Sequence, residues 1–214
     1  MTTTSTLQHV HHKATHRLQL PVVAGWAFAT AWVVGVIAFP AAPAVDAAAG
    51  EVSDFYAAHP GATAVQSLLI HGFAPLALAA VFLALPVPGT ARRVLRAAGS
   101  VGVGLSLLQL ALGLWRSAVA GTASPSTVDA LVDAVNRIDG VKMLAFALMI
   151  AASAAALRHH RRFTPLAVAA SVSLVASAVG YLLLSPTLGL AAFVSLPLLL
   201  AWAVSAGVLS ARGR

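Results

Sequence analysis

Residues 164–184 read TPLAVAASVSLVASAVGYLLL and contain no charged side chain. A membrane-spanning helix needs about 20 mostly apolar residues, because the hydrocarbon core of a bilayer is ~30 Å thick. The stretch therefore predicts a transmembrane helix. Arg161 and Arg162, which precede it by one intervening residue, and Pro186 just after it are typical limits for such a helix.

Working outward from this stretch, we find five more of the same kind, at 21–39, 64–85, 97–114, 141–157 and 188–209. Prolines lie mostly in the connections between them. The sequence thus predicts an all-α polytopic membrane protein, a bundle of six transmembrane helices forming one domain over residues 20–210. Residues 1–19 are expected to be a disordered cytoplasmic tail, and residues 211–214 a cytoplasmic C-terminus.

The composition supports this interpretation. Hydrophobic residues make up 59% of the chain and charged residues only 9%, whereas a soluble domain has about 25% charged residues. So few charges could not cover the surface of a soluble enzyme. They also exclude a nucleic-acid-binding protein, despite the net charge of +7. The absence of cysteine excludes disulfides and thiolate metal sites.

The charged residues are sorted by side of the membrane. Ten of the thirteen basic residues fall in the tails and in the second-to-third and fourth-to-fifth connections, on one side: Lys13, Arg17, Arg92, Arg93, Arg96, Arg158, Arg161, Arg162, Arg212 and Arg214. The three remaining basic residues, Arg116, Arg137 and Lys142, fall on the other side. All six acids do so as well: Asp46, Glu51, Asp54, Asp129, Asp133 and Asp139. Because basic residues stay inside, both termini are expected to be cytoplasmic.

Two external connections show helical periodicity. Residues 125–138 place Val128, Leu131 and Val135 on one face, after Ser124 or Ser126 as N-cap. Residues 45–58 show the same pattern more weakly. We expect short external amphipathic helices, the first lying on the outer membrane interface and leading into the fourth span.

The first span allows a second interpretation. A basic segment, an apolar stretch and the small residues Ala42-Pro43-Ala44 also resemble a secretory signal with its cleavage site. Cleavage would leave five spans. The apolar stretch is longer than a usual signal core, which favours a retained span.

Polar side chains inside spans are costly in hydrocarbon and are candidates for function. Seven such residues gather in the outer third of the bundle, and we expect them to line an outward-facing ligand-binding pocket: Ser67, His71, Gln109, Asp139, Lys142, Tyr181 and Ser195. Helical rise places His71 roughly 10 Å and Gln109 about 8 Å below the outer surface. Ser67, His71 and Pro75 are spaced by four, so they share a helix face. Pro75 should leave the His71 carbonyl without its helical partner.

Each of these features also has a structural explanation. Intramembrane polar groups commonly join helices, so His71 could donate to a neighbouring helix while Pro75 only kinks the span. Asp139 and Lys142 share a face three residues apart and could simply anchor the fourth span. The pocket itself could be a packed bundle with more polar outer ends.

Enzyme and cofactor signatures are missing from the sequence. No catalytic residue set, metal site or cofactor is predicted, and the inner half of the bundle is nearly free of titratable groups, which argues against a channel or pump. We expect no enzymatic activity. The alternative of a membrane enzyme using His71 lacks a second titratable group beside it.

Four segments carry a resemblance: 136–144 (NRIDGVKML), 180–186 (GYLLLSP), 194–200 (VSLPLLL) and 55–59 (FYAAH). The chain resembles a group of small, Ala/Leu-rich multispan membrane proteins of actinobacteria, from the first span onward. The resemblance implies a bacterial plasma membrane and carries over no functional residue. In size and span number the chain also resembles the substrate-binding membrane subunits of vitamin-uptake transporters.

The function we expect is binding of a small molecule or lipid in the outward-facing pocket, as a transport or sensing component. The alternative is a structural or regulatory partner of another membrane protein, with no ligand of its own. Either protein would lie in the lipid bilayer, and neither would bind nucleic acid.

Overall fold

The computed structural model describes the backbone of residues 3–212 and the side chains of residues 20–211. This part of the chain is helical and contains no strand. Its elements are α1 (Thr3–Ile37), α2 (Ala49–Ala58), α3 (Pro60–Ser67), a π-helical segment (Leu68–Phe73), α4 (Ala74–Ala84), α5 (Gly89–Val119), α6 (Pro125–Ala156), α7 (Phe163–Leu182), α8 (Pro186–Gly189) and α9 (Ala192–Arg212).

Six segments of the described chain are long and apolar enough to cross a bilayer. They are Leu20–Ile37, Pro60–Ala84, Gly89–Val119, Pro125–Ala156, Phe163–Leu182 and Pro186–Ala211. The predicted all-α polytopic bundle of six helices is thus confirmed. Large apolar side chains stay exposed on every span, including Val23, Phe73, Val101, Leu148, Val172 and Val194. A lipid environment accounts for so much exposed apolar surface.

The bundle has two chemically different ends. One is formed by connections 38–59, 120–124 and 183–191 and carries the six acids of the chain; we call it the acidic end. The other is formed by connections 85–88 and 157–162, next to the arginines of early α5; we call it the basic end.

The core lies towards the basic end and is apolar. Its largest fully buried side chains include Trp202, Phe28, Phe82, Leu78, Met149 and Ile150. The first span belongs to this core, because α1 packs on α9 and α4 and buries Phe28. At the α1–α9 crossing, a Cβ on Gly25 would lie 2.8 Å from the Ala203 carbonyl oxygen. Only glycine permits so close an approach of the two backbones.

The segment 125–138 is helical as predicted and begins with Ser124, whose hydroxyl accepts a hydrogen bond from the Thr127 N–H. It is not a separate interfacial helix, however, since it continues without a break into the fourth span as α6. Its apolar face is covered by α2, where Val128 packs with Val52, Tyr56 and Ala120. With 32 residues, α6 is about 48 Å long at ~1.5 Å per residue, well beyond the hydrocarbon thickness. Its N-terminal part therefore rises above the spans at the acidic end.

The predicted tail falls partly outside what is described. Helix α1 begins at Thr3, but no side chain of residues 3–19 is described, and residues 1, 2, 213 and 214 lie outside the described range. Disorder of the 1–19 tail stays a prediction.

Candidate functional site

A cavity of about 640 Å³ opens at the acidic end. It lies among α1, the second span, α5, α6, the end of α7 and the α8–α9 turn, beneath α2 and the 38–48 connection. Its polar lining residues are Tyr56, Gln66, Ser67, His71, Gln109, Arg116, Asn136, Asp139 and Tyr181. Five of the seven residues predicted for the pocket thus line one cavity: Ser67, His71, Gln109, Asp139 and Tyr181.

One wall of the cavity is a hydrogen-bonded network joining α5 to α6. The Gln109 amide donates to the Val135 carbonyl at 3.0 Å and to the Asp139 carboxylate at 3.1 Å. Lys142 donates to Gln109 Oε1 at 2.7 Å and forms an ion pair with Asp139. These contacts use both the donors and the acceptor of the fully buried Gln109 amide. The ion pair leaves this wall with no net charge.

Lys142 does not line the cavity. Its side chain is only 3% exposed and lies behind Asp139 and Gln109. Asp139 and Lys142 share a helix face as predicted, but both side chains bond to Gln109 and thereby join α6 to α5. For Lys142, the structural explanation is therefore the one that the contacts favour.

Ser195 does not reach the cavity either. It is 1% exposed and accepts a hydrogen bond from the Ser177 hydroxyl at 2.8 Å, between α9 and α7. Helical rise predicts only the depth of Ser195 along its span. The direction of its side chain around the α9 axis was not predicted, because spacing within one helix does not say which neighbour it faces.

The second span reaches the cavity through an irregular turn. Residues 68–73 are π-helical and end two residues before Pro75: the Ala74 N–H that closes the segment bonds to the Leu69 carbonyl, five residues earlier. Ser67 and His71 line the cavity, whereas Pro75 is buried in the core one turn deeper. Ser67 donates to the Thr63 carbonyl at 2.8 Å. π-Helical turns of this kind are frequent at functional sites.

The imidazole of His71, which lines the cavity, is incompletely hydrogen-bonded. Its Nδ1 atom is buried and has no hydrogen-bond partner among the described residues. The expected donation from His71 to a neighbouring helix is therefore not made through this atom. A buried polar atom without a partner is costly, and a ligand or ordered water commonly accounts for one.

Sequence reasoning missed Arg116 as a lining residue. Arg116 is 8% exposed, and its guanidinium carbon lies 3.7 Å from the centroid of the Tyr56 ring. Such a cation–π contact stabilises by about 0.5–2 kcal/mol. The pKa of the Tyr56 hydroxyl lies above its usual value, because the effect of burial exceeds the opposing effect of the nearby guanidinium. Arg116 was counted only as an external charge, yet its place inside the C-terminal turn of a long apolar stretch was the available signal.

One side of the cavity is apolar and open. Val36 at the end of α1, Leu190 before α9 and Phe193 at its start all line the cavity. They remain 50%, 59% and 78% exposed. The close packing of α1 on α9 lies further towards the basic end, at Gly25 and Ala203. We interpret this exposed apolar border, between the acidic ends of the two helices, as a lateral mouth of the cavity.

No metal-binding cluster is found in the described part of the chain, where no three His, Asp or Glu side chains lie close enough to share an ion. Comparisons with protein-family models, curated proteins and solved structures found no match to this chain. Its function has to be inferred from the cavity itself.

Proposed function

We propose that this multispan membrane protein binds a small molecule or lipid in the cavity at its acidic end, without catalysing a reaction. It serves as the binding component of a transport or sensing system in a bacterial plasma membrane. The cavity faces outward and both termini are cytoplasmic, since the sequence pattern assigns ten of the thirteen basic residues to the opposite side of the membrane.

The observation that carries this proposal is the cavity with its unsatisfied lining. Its volume falls within the 300–1,000 Å³ range of small-molecule sites, and such sites combine an apolar wall with a few convergent polar groups. Protein interiors are otherwise close-packed. Polar groups at membrane depth are costly, and the orphaned Nδ1 of His71 favours a ligand that supplies the missing partner.

Binding fits better than conduction. Below the cavity, the bundle is closed by apolar side chains such as Leu78, Met149 and Trp202, all fully buried. Ion or proton pathways need polar groups through the full thickness of the membrane. The cavity is therefore a pocket with a floor, as a binding component requires.

Catalysis by His71 has less support. A general base must lie within hydrogen-bond distance of the proton that it removes, and it is usually oriented by a hydrogen bond to a second group. His71 Nδ1 has no such neighbour among the described residues, and the Asp139 carboxylate is already engaged by Lys142 and Gln109. For His71 to act as a catalytic base, the substrate itself would have to provide the hydrogen-bond partner that orients the imidazole.

The experiment that tests the proposal is thermal unfolding of the detergent-purified protein across a panel of metabolites, metals, haem and lipids. A ligand that binds only the folded state raises the unfolding midpoint by mass action. We expect one class of compound to raise it for the wild type and for Ser195→Ala, a buried hydroxyl outside the cavity. We expect His71→Ala to lose the shift. A panel without any shift, or one shared equally by His71→Ala, would contradict the proposal.

One observation favours the second candidate, a structural or regulatory partner of another membrane protein. An apolar groove lies between α1 and the second span, with Val23, Trp26 and Phe73 exposed in it. Lipid chains can fill the same groove. Site-specific photo-crosslinking from Thr30, which lines the groove, separates the two, because a partner gives one discrete protein adduct and lipid gives none.

A further inference from the structure

Arg116 is a buried cation that lines the cavity without an anionic partner. Its side chain is 8% exposed, and its Nε atom is buried with no hydrogen-bond partner. No carboxylate lies within ion-pair distance of it among the described side chains, where the only such pair is Lys142 with Asp139. Among the described side chains, Tyr56 is the favourable partner of its guanidinium, through the ring face and the hydroxyl.

The charges of the lining do not cancel. Asp139 is the only carboxylate among the lining residues, and Lys142 already neutralises it. Arg116 therefore leaves the cavity with one excess positive charge when the imidazole of His71 is neutral. A buried charge is costly unless it is paired and hydrogen-bonded. An anionic group on the ligand would supply that pairing and bond the guanidinium, whose fork matches carboxylate and phosphate oxygens.

The direction of entry narrows the class of ligand further. The acidic end carries five carboxylates that do not line the cavity, against one exposed cation, Arg137, and a net field of this sign repels small dissolved anions. The carboxylates are Asp46, Glu51, Asp54, Asp129 and Asp133. The lateral mouth at Val36, Leu190 and Phe193 is apolar and carries no charge. A molecule that arrives from the bilayer avoids the acidic surface and meets matching apolar side chains.

We propose that the cavity binds an anionic amphiphile that enters from the outer leaflet. Arg116 binds its carboxylate or phosphate group, and its hydrocarbon chain leaves through the lateral mouth beside Phe193. This inference rests on the proposed function and specifies its ligand class. Both a free fatty acid and an anionic phospholipid have this chemistry.

The test is a binding titration of the full-length protein in neutral-lipid nanodiscs, followed by native mass spectrometry. The probes are laurate, phosphatidylglycerol, uncharged dodecanol of the same chain length as laurate, and inorganic phosphate, which has a charge but no chain. Arg116→Gln removes the charge and Arg116→Lys retains it. Arg137→Gln is the matched control, because Arg137 is an exposed cation of the acidic end that donates to the Leu182 carbonyl outside the cavity.

We expect laurate or phosphatidylglycerol to bind the wild type and Arg137→Gln, and dodecanol and phosphate to bind at least tenfold more weakly. Arg116→Gln should lose about tenfold or more in affinity for the anionic probe, as is usual when one partner of a buried charge pair is removed. Arg116→Lys should recover part of this loss. Which of the two anionic probes binds more tightly identifies the source as free fatty acid or membrane phospholipid.

Several outcomes would overturn the inference: dodecanol binding as tightly as laurate, phosphate binding as tightly as either amphiphile, or equal affinity of Arg116→Gln and wild type for the anionic probe. If Arg116→Gln does not fold, the comparison of laurate with dodecanol on the wild type decides. Dodecanol binding that is lost in His71→Ala would refute the anionic ligand and leave the pocket standing. The proposed function fails separately, if no compound of the wider panel binds.

Discussion

At the basic end, the six spans close around large apolar side chains such as Trp202, Phe82 and Met149, which are fully buried. At the acidic end, the same helices leave a cavity of about 640 Å³ whose walls carry hydroxyl, amide, imidazole and guanidinium groups. The comparison separates the part of the bundle that stabilises the fold from the part available for a ligand.

The largest expected effect concerns which end of the bundle faces the outside of the cell, because labelling from that side is all-or-none. The chain has no native cysteine, so Ser126→Cys at the acidic end and Thr90→Cys at the basic end can each be labelled alone; both positions are exposed. A membrane-impermeant maleimide should label Ser126→Cys in intact cells. It should label Thr90→Cys only after disruption. The reverse pattern would place the cavity on the cytoplasmic side.

Removing an aromatic ring should lower the free energy of unfolding strongly at the basic end and hardly at all at the acidic end. Trp202→Ala leaves a void in the closed core and should lower the free energy of unfolding by about 3–5 kcal/mol. Phe193→Ala removes a ring that is 78% exposed at the lateral mouth, so it should change that free energy by less than about 0.5 kcal/mol. Denaturant unfolding in detergent measures both. Equal losses would mean that the acidic end is as closely packed as the basic end.

The Asp139–Lys142 pair should contribute more to stability than any other contact of the cavity wall or directly behind it. Asp139→Asn leaves the buried ammonium group of Lys142 without its counter-charge and should cost about 3 kcal/mol. Adding Lys142→Met should recover much of that loss, since neither charge then remains. A double-mutant cycle on the free energy of unfolding provides the coupling. Simple additivity of the two substitutions would show that the pair is not coupled.

The smallest effect is expected at His71. His71→Phe keeps a ring of similar size and removes a nitrogen that has no partner, so the free energy of unfolding should stay within about 0.5 kcal/mol of the wild-type value. Gln109→Leu in the same layer breaks the network to Lys142 and Asp139 and should cost about 1–3 kcal/mol. A large loss for His71→Phe would indicate that this imidazole is structural.

The fold could be predicted because lipid imposes simple conditions on sequence. A span must be long, apolar and nearly free of charge, and each of the six predicted stretches overlaps an observed span. The expected break before the fourth span was not observed: residues 125–138 were predicted as a separate amphipathic helix leading into a span at residue 141, whereas α6 runs from Pro125 through both without interruption. Its first turns are covered by α2 through Val128 rather than by lipid, and hydropathy does not distinguish these two environments.

The site could be predicted only in part, because depth is a property of one helix and direction depends on its neighbours. Helical rise brought His71 and Gln109 to one layer, and both line the cavity. The same reasoning included Ser195, which faces Ser177 on α7. Arg116 was missed because charge counting treats every arginine near a span end as exposed to water. Its burial over Tyr56 depends on how α2 folds back on α5, which no periodicity reveals.

The π-helical segment of the second span offers a way to change the cavity lining by altering the length of the helix. A π turn is equivalent to an α-helix with one residue inserted, and here it separates Ser67 from the core helix α4. The rotation of α3 about the helix axis is thus set independently of the rotation of α4. Deleting one residue between Leu68 and Phe73 would restore an uninterrupted α-helix and turn α3 by about 100° against α4. A new lining would then face the cavity on an unchanged core, so one inserted residue makes the lining adjustable without redesigning the bundle beneath it.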